Sequence, residues 1–256
     1  MITETDSKTL AYVNLFAVLG TLENLCQLVE EAKNLLKGKP PISIGFEVKN
    51  GPSATLFFVD GSCSIKEGCN SCTMKLNFSS CEKFNAFIAG KVKPIPSKGF
   101  TKIPFLLRTF APLTEVLSKY LNPAKKDLEN PKFREINTKL TLYAAASAIA
   151  QVGNQDKSGR FSSSLMPDGD IAINITDTMG VTIKVAAHHL TTIKSFCEKP
   201  RAIMEFADIE VAGKLLSGEA SAIACIGSGS ISMRGMINMI DNTNRILDRA
   251  GQYLSA

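Results

Sequence analysis

Residues 73–78, TMKLNF, and residues 201–206, RAIMEF, decide the fold. The first alternates apolar and polar side chains, so Met74, Leu76 and Phe78 fall on one face of a strand and Thr73, Lys75 and Asn77 on the other. A shift of 128 residues lays the second on the first, setting Leu76 against Met204 and Phe78 against Phe206. The same shift sets Phe87-Ile88 against Leu215-Leu216, Gly90 against Gly218 and Cys69 against Cys197. With a small insertion, Tyr120-Leu121 answers Tyr253-Leu254. A chain built twice from one supersecondary plan accounts for this pattern. One α+β domain whose halves look alike because alternating strands align easily is the other account, and these residues leave it open.

Moving outward, residues 42–49 and 54–60 alternate in the same way and end at Asn50-Gly51 and Asp60-Gly61, and residues 62–66 end at Glu67-Gly68. Turn dipeptides between short alternating runs predict an antiparallel meander. Leu10, Val13, Leu15, Phe16, Leu19, Leu22 and Leu25 open a three- and four-residue rhythm that predicts one amphipathic helix over residues 8–37. Ser79 or Ser80 caps a short helix to Gly90, and Pro104 opens a helix over 104–121 that Pro112 kinks or divides. In the second half the expectation is a helix at 133–152, strands at 160–166, 170–175, 180–187, 202–207 and 230–234, and helices at 208–217 and 236–254. The polar, proline-bracketed stretch 122–132 is the linker. The expected fold class is therefore α+β, antiparallel sheet covered by helices, in two units, 1–126 and 127–256.

At 256 residues, 45% hydrophobic and 21% charged, the chain has the composition of a folded globular protein. Residues 1–125 carry 15 Lys and Arg against 10 Asp and Glu, and residues 126–256 carry 14 against 14. So small an excess, with no Trp and 4 Tyr, argues against a nucleic-acid partner. The start, MITETDSKTL, lacks a basic region before an apolar one, and the most apolar run, residues 140–152, is too short to span a bilayer. A soluble, cytoplasmic protein is expected. Seven unevenly spaced cysteines argue for reduced thiols over a disulfide framework.

The second half resembles the sterol carrier protein two family. AIMEFAD leads into a helix ending in KLLSGE, then a small-residue stretch, then GSISMRGM at 229–236 and a closing helix. Gly229, Ile231, Met233 and Gly235 fit the family's Gly-x-hydrophobic-x-hydrophobic-x-Gly strand. The first half is similar through its meander, TMKLNF and FNAFIAGK (84–91), but has GFTKIP where that strand should stand. The resemblance implies a sheet with helices over one face, enclosing a tunnel for fatty acyl chains, sterols or other apolar molecules. The lining expected from these patterns is Met74, Leu76, Phe78, Phe84, Phe87 and Ile88 in the first unit. In the second it is Met204, Phe206, Leu215, Leu216, Met233, Met236, Met239 and Ile240. Apolar lining with few placed polar groups suits such a ligand, and Met adapts to variable shapes.

Other constellations carry less. Cys63, Cys69, Cys72 and Cys81 include one CxxC, but a metal site wants two close pairs or a pair with His, and the first half has no His. Cys72 falls on the predicted apolar face with Met74 and Leu76, so buried thiols are expected. His188 and His189 are adjacent at the end of a strand and point to opposite faces. Gly227-Ser228-Gly229-Ser230 opens a strand without a following Lys-Ser/Thr, which excludes a phosphate loop. No catalytic centre, metal or cofactor is expected. Between Glu82 and Glu115 there is no acidic residue, while Lys83, Lys91, Lys93, Lys98, Lys102 and Arg108 stand beside Phe100, Ile103, Phe105 and Leu106. Basic and apolar residues so interleaved can touch an anionic membrane surface through residues 91–108. The function expected is non-catalytic binding or transfer of an apolar ligand. The alternative is a structural or protein-interaction module with a filled core.

Overall fold

A computed structural model describes residues 4–256 and shows a mixed α+β protein with two five-stranded sheets. The chain forms two compact units, Thr5–Asn122 and Pro123–Ala256, with Glu4 grouping with the second.

In the first unit the Asp6 carboxylate accepts the Thr9 amide at 2.8 Å and starts a helix, Ser7–Leu28. It is not uniformly α: Val13–Val18 is a π-helix and Leu19–Thr21 a 3-10 turn. The backbone extends at Val29, and a second helix, Glu30–Leu36, follows, so the single helix expected over 8–37 is divided. Among the described residues one helix, Ser7–Leu28, is long and apolar enough to cross a membrane by length and composition. Here 67% of its most apolar window is buried, with Ala11, Val13, Leu15, Leu22 and Leu25 fully enclosed.

The strands are β1 (Ile42–Val48), β2 (Ser53–Val59), β3 (Ser62–Glu67), β4 (Met74–Phe78) and β5 (Pro96–Lys98), ordered β3-β2-β1-β4-β5. The second unit has β6 (Gly169–Ile175), β7 (Met179–Ala186), β8 (His189–Ile193), β9 (Ala202–Phe206) and β10 (Ile231–Gly235). Its order, β8-β7-β6-β9-β10, is the same strand for strand. Each sheet departs from a pure meander at one place. After the third strand the chain crosses back, so β4 lies parallel to β1, and β9 parallel to β6. Register agrees as well: Leu76 faces Phe46 and Phe78 faces Val48, while Met204 faces Ile173 and Phe206 faces Ile175. The helix after each of these strands keeps the 128-residue offset. Ser80 caps Cys81–Ile88 through the Lys83 amide, and Asp208 caps Ile209–Leu216 through the Val211 amide. Both then turn at a left-handed glycine, Gly90 at φ 72° and Gly218 at φ 77°.

Three local expectations change. Residues 160–166 are not a strand but lie largely in a helix, Lys157–Ser164, because Asp156 Oδ1 accepts the Ser158 and Gly159 amides and caps it. The first unit's last strand is β5, upstream of GFTKIP; Gly99 turns left-handed at φ 82° and Pro104 enters the first turn of the next helix. The small-residue stretch before β10 holds a short exposed helix, Ala222–Gly227. The longest helix, Pro131–Gln155, buries Ala144–Ala146, Ala148 and Ala150. Small side chains let it lie close to the sheet.

The closing helix, Ile237–Leu254, is held by a buried charge network. Asp156 Oδ2 accepts Arg249 Nε at 3.1 Å, Arg249 Nη2 at 3.0 Å and the Tyr253 hydroxyl at 2.6 Å. Burial alone would raise the Asp156 carboxyl, but the bonds from Tyr253, Arg249 and the Gly159 amide overcome it and hold it at about 2. The folded value lies below the ordinary 3.8. The network's contribution is therefore present above pH 3.8 and lost as pH falls through about 2, a linkage worth roughly 2 kcal/mol. Asp156→Asn should cost about 3 kcal/mol at neutral pH, since it leaves Arg249 buried without its counter-charge. Urea unfolding across a pH series should show the gap from the unsubstituted chain narrowing between pH 4 and pH 2. A gap that stays constant with pH would contradict it.

Candidate functional site

The space between the first sheet and its helices is filled by phenylalanines. Phe46 contacts Phe84, Phe87 and Phe110 with ring centroids 6.1–6.4 Å apart, Phe78 contacts Phe84 at 5.1 Å and Phe87 at 5.3 Å, and Phe58 contacts Phe105 at 5.4 Å. An apolar cleft of about 490 Å³ lies beyond Phe87 and Phe110, among the helices. Its size is within the range of small-molecule sites.

Four segments build its wall. Val18 and Leu19 come from the N-terminal helix, and Phe87, Ile88 and Gly90 from the end of Cys81–Ile88. Val92, Lys93 and Pro94 form one lip, and residues 106–122 supply Leu106, Leu107, Phe110, Ala111, Thr114, Leu117 and Leu121 opposite. Polar groups are few: Lys93 and Glu115 stand among the lining with Thr114, Ser118 and Asn122. Two hydrogen bonds fasten the N-terminal helix to the short one, Asn14 Nδ2 donating to Asn85 Oδ1 at 3.0 Å and Asn85 Nδ2 to the Ser7 carbonyl at 2.9 Å. Ser7 Oγ also donates to Glu82 at 2.6 Å, and this bond, with that from Ser80, holds the Glu82 carboxyl down to about 2.

Both long walls carry π-helical turns, an uncommon conformation that widens a helix locally. In Val13–Val18 and Leu106–Phe110 the amides of Leu19 and Ala111 reach back five residues, to Asn14 and Leu106. Pro112 explains the second. It has no N–H to donate, and in a regular α-helix its ring would press on the carbonyl of Arg108. The wider turn relieves that contact while Leu106 and Phe110 stay directed inward. Instead of ending the helix, the proline shapes the cleft.

Of the residues expected to touch ligand, Phe87 and Ile88 line this cleft. Met74, Leu76, Phe78 and Phe84 do not; they are enclosed core beneath the phenylalanine cluster. In the second unit Met204, Phe206, Met239 and Ile240 are buried core, Leu215, Leu216 and Met233 are half-buried, and Met236 is exposed. Sequence reading missed the face formed by Leu107, Ala111, Thr114 and Ser118. Its helical spacing was visible, but which side of that helix would stay unfilled was not. The second unit also has a smaller groove of about 240 Å³, where Arg134 pairs with Glu210 at 2.8 Å beside Lys125, Glu129 and Lys214. Charges of both signs make it a poor site for an apolar molecule.

The other sequence candidates are placed as follows. Cys63, Cys69, Cys72 and Cys81 are buried and in no disulfide, and no cluster of three or more metal-ligating side chains occurs among the described residues. Cys72 sits over Gly45, on the sheet face opposite Met74 and Leu76, because β4 begins only at Met74. His188, with Ala187, forms the left-handed turn between β7 and β8, and exposed His189 opens β8 with its Nε2 3.4 Å from Asn154 Nδ2. Gly229 makes a left-handed turn into β10.

No known protein family matches the chain, and no curated protein does. Among solved structures it is similar to "UbiJ-SCP2 Ubiquinone synthesis protein", with 12% identity over 41% of this chain and 94% of that one, at a TM-score of 0.32. It is also similar to the stereoselective inverting sec-alkylsulfatase Pisa1 from Pseudomonas sp., with 9% identity over 56% of this chain and 28% of that one, at a TM-score of 0.25. Function is therefore argued from the cleft's own chemistry.

Phe87 separates the cleft from the phenylalanine cluster. Phe87→Ala should lower stability by about 3 kcal/mol through lost packing and a larger void, with the fold retained. Denaturant unfolding gives the cost; a change below 1 kcal/mol would mean that Phe87 does not support the cleft floor.

Proposed function

We propose that the first unit is a non-catalytic carrier that binds an elongated apolar molecule, such as a fatty acyl chain or a sterol, in its interhelical cleft. The supporting observation is the cleft itself: an apolar hollow of about 490 Å³ left open in a unit whose sheet-facing core is filled. Binding is driven by moving ligand surface out of water, at roughly 25 cal/mol per Å². The likeness of the chain's strand and helix motifs to the sterol carrier protein two family agrees with this chemistry.

The ligand reaches the cleft from an anionic lipid surface. Val92, Ile95, Phe100 and Leu107 are exposed, Ile95 at 80% and Leu107 at 62%, and Lys91, Lys93, Lys102 and Arg108 lie between or beside them. Val92, Lys93 and Leu107 are at once members of this surface and of the cleft wall. A neighbouring hollow of about 310 Å³ is lined by Lys39, Lys102 and Arg108 with no acidic residue, and it favours anionic headgroups. Each cation near such a surface contributes about 1 kcal/mol.

Two measurements test the proposal. A fluorescent fatty acid should bind the purified chain and be displaced by unlabelled lipid, and Ala111→Trp, which fills the cleft, should weaken that binding at least tenfold while thermal unfolding stays within a few degrees. Unchanged binding in that variant would move the ligand elsewhere, and no binding by the unsubstituted chain would leave a partner-binding module with a filled interior. Separately, co-sedimentation should be stronger with vesicles containing anionic lipid than with neutral ones, and the combined change Lys91→Glu, Lys93→Glu and Lys102→Glu should abolish the difference. Equal sedimentation with both vesicle types would remove the membrane step.

A further inference from the structure

The loop at residues 68–73, between β3 and β4, is exposed at Asn70 and Ser71 yet buries two thiols, Cys69 and Cys72. Both lie over Gly45, on the face of β1 away from the helices. A β-carbon placed on Gly45 would stand 2.6 Å from Cys72 Sγ, 3.1 Å from Cys69 Cβ and 3.2 Å from Cys72 Cβ. The two cysteines thus crowd one spot that only a glycine leaves free. Cys72 Sγ is also 3.7 Å from the Cys69 carbonyl oxygen, which folds the CxxC segment back on itself.

The second unit shows what the same place looks like without the pair. Gly45 faces Lys75 across β1 and β4, and Ala172 faces Ile203 across β6 and β9, so Ala172 holds the position of Gly45. At the 128-residue offset Cys197 answers Cys69, but Pro200 answers Cys72. Where the second thiol is missing, the glycine is missing too. A side chain at that register position is compatible with the fold, so Gly45 answers to the sulfur above it and not to the sheet.

Two lysines stand beside the pair. The Lys75 ammonium pairs with Glu47 at 2.9 Å and also reaches the Cys69 thiol, while Lys98 Nζ donates to the Cys72 carbonyl at 3.0 Å. Burial, helped by Glu47, pushes the Cys69 thiol up, and Lys75 pulls the other way. Cys26, by contrast, has no such neighbour and burial pushes it up to about 12.

We propose that Cys69 and Cys72 are a reversible redox-modification site that closes to an in-loop disulfide by exchange with a small-molecule disulfide. Cys69 loses its proton and attacks one sulfur of that disulfide, forming a mixed disulfide and expelling a thiolate that takes up a proton. Cys72 then loses its proton and attacks the Cys69 sulfur, closing the bond between them and releasing the second small thiol. The protein dithiol gives up two electrons and two protons, and the small disulfide becomes two thiols. Transient, sensing disulfides of this kind are the sort found in reducing compartments.

The test is incubation of the folded full chain with oxidised and reduced glutathione at a series of ratios, followed by acid quench, alkylation and peptide mapping. The expected result is joint loss of two thiols and a linked Cys69–Cys72 peptide, with Cys26 and Cys63 still reduced. In Cys72→Ser, glutathione should instead remain on Cys69. Cys69 and Cys72 staying reduced at every ratio, or glutathione remaining on Cys69 of the unsubstituted chain, would overturn the proposal. Mapping the unsubstituted chain decides it whether or not the variant folds.

Discussion

The packing of phenylalanine rings between the first sheet and its helices is the constraint on which the rest of that unit depends. Phe46 and Phe58 rise from β1 and β2, Phe78 from β4, and Phe84, Phe87, Phe105 and Phe110 come down from the helical layer. Rings in tilted and edge-on contact occupy the layer between sheet and helix. A hollow large enough for a ligand can then exist only farther out, where helix meets helix. The π-helical turns are the means by which it exists there. Each widens its helix just where Val18, Leu106, Leu107 and Phe110 line the cleft, so the two walls stand apart without losing their backbone hydrogen bonds.

The two units share strand order, pairing sense and register but treat their interiors differently. The first uses large rings and leaves a gap beyond them. The second packs Ile171, Ile173, Val181, Ile183 and Val185 of its sheet with an alanine-rich helix, and small side chains bring that helix close. Gly153 shows how close, since a β-carbon there would stand 2.8 Å from Leu190 and 2.9 Å from Ser163 Oγ. Its closing helix is fixed by the Asp156, Arg249 and Tyr253 network, which is directional where the phenylalanines are not. One topology thus leaves a cleft among the helices of one unit and carries a buried charge network in the other.

Much of the sheet was legible in the sequence because a two-residue period and left-handed turn residues are local signals. Asn50 and Asp60 take positive φ at the hairpin turns expected there, and Met74, Leu76 and Phe78 share the face their spacing assigned. The parallel pairing of β4 on β1 was not legible. It depends on where the chain goes after β3, and nothing in residues 68–73 records a crossing. The helix at Lys157–Ser164 was misread because Phe161, Ser163 and Leu165 invite a strand, whereas a single cap by Asp156 sets the outcome. Of the cleft lining, only Phe87 and Ile88 were among the residues picked out from the sequence. Apolar residues on a strand and apolar residues around a hollow look alike in sequence, and what separates them is whether neighbouring side chains are large enough to reach.

That distinction also explains why Pro112 and Gly45 say more about this protein than most of its apolar residues. A leucine in a helix is compatible with core, cleft or interface. A proline within a helix forces a particular backbone response, here the π turn that shapes one wall of the cleft. A glycine inside a strand forfeits packing and backbone entropy, and is tolerated where something must come close. At Gly45 that something is sulfur. Pro112 and Gly45 are two positions of the first unit where the chain departs from the residues its elements prefer. One widens a helix beside the cleft, and the other leaves room on the opposite sheet face for a pair of thiols.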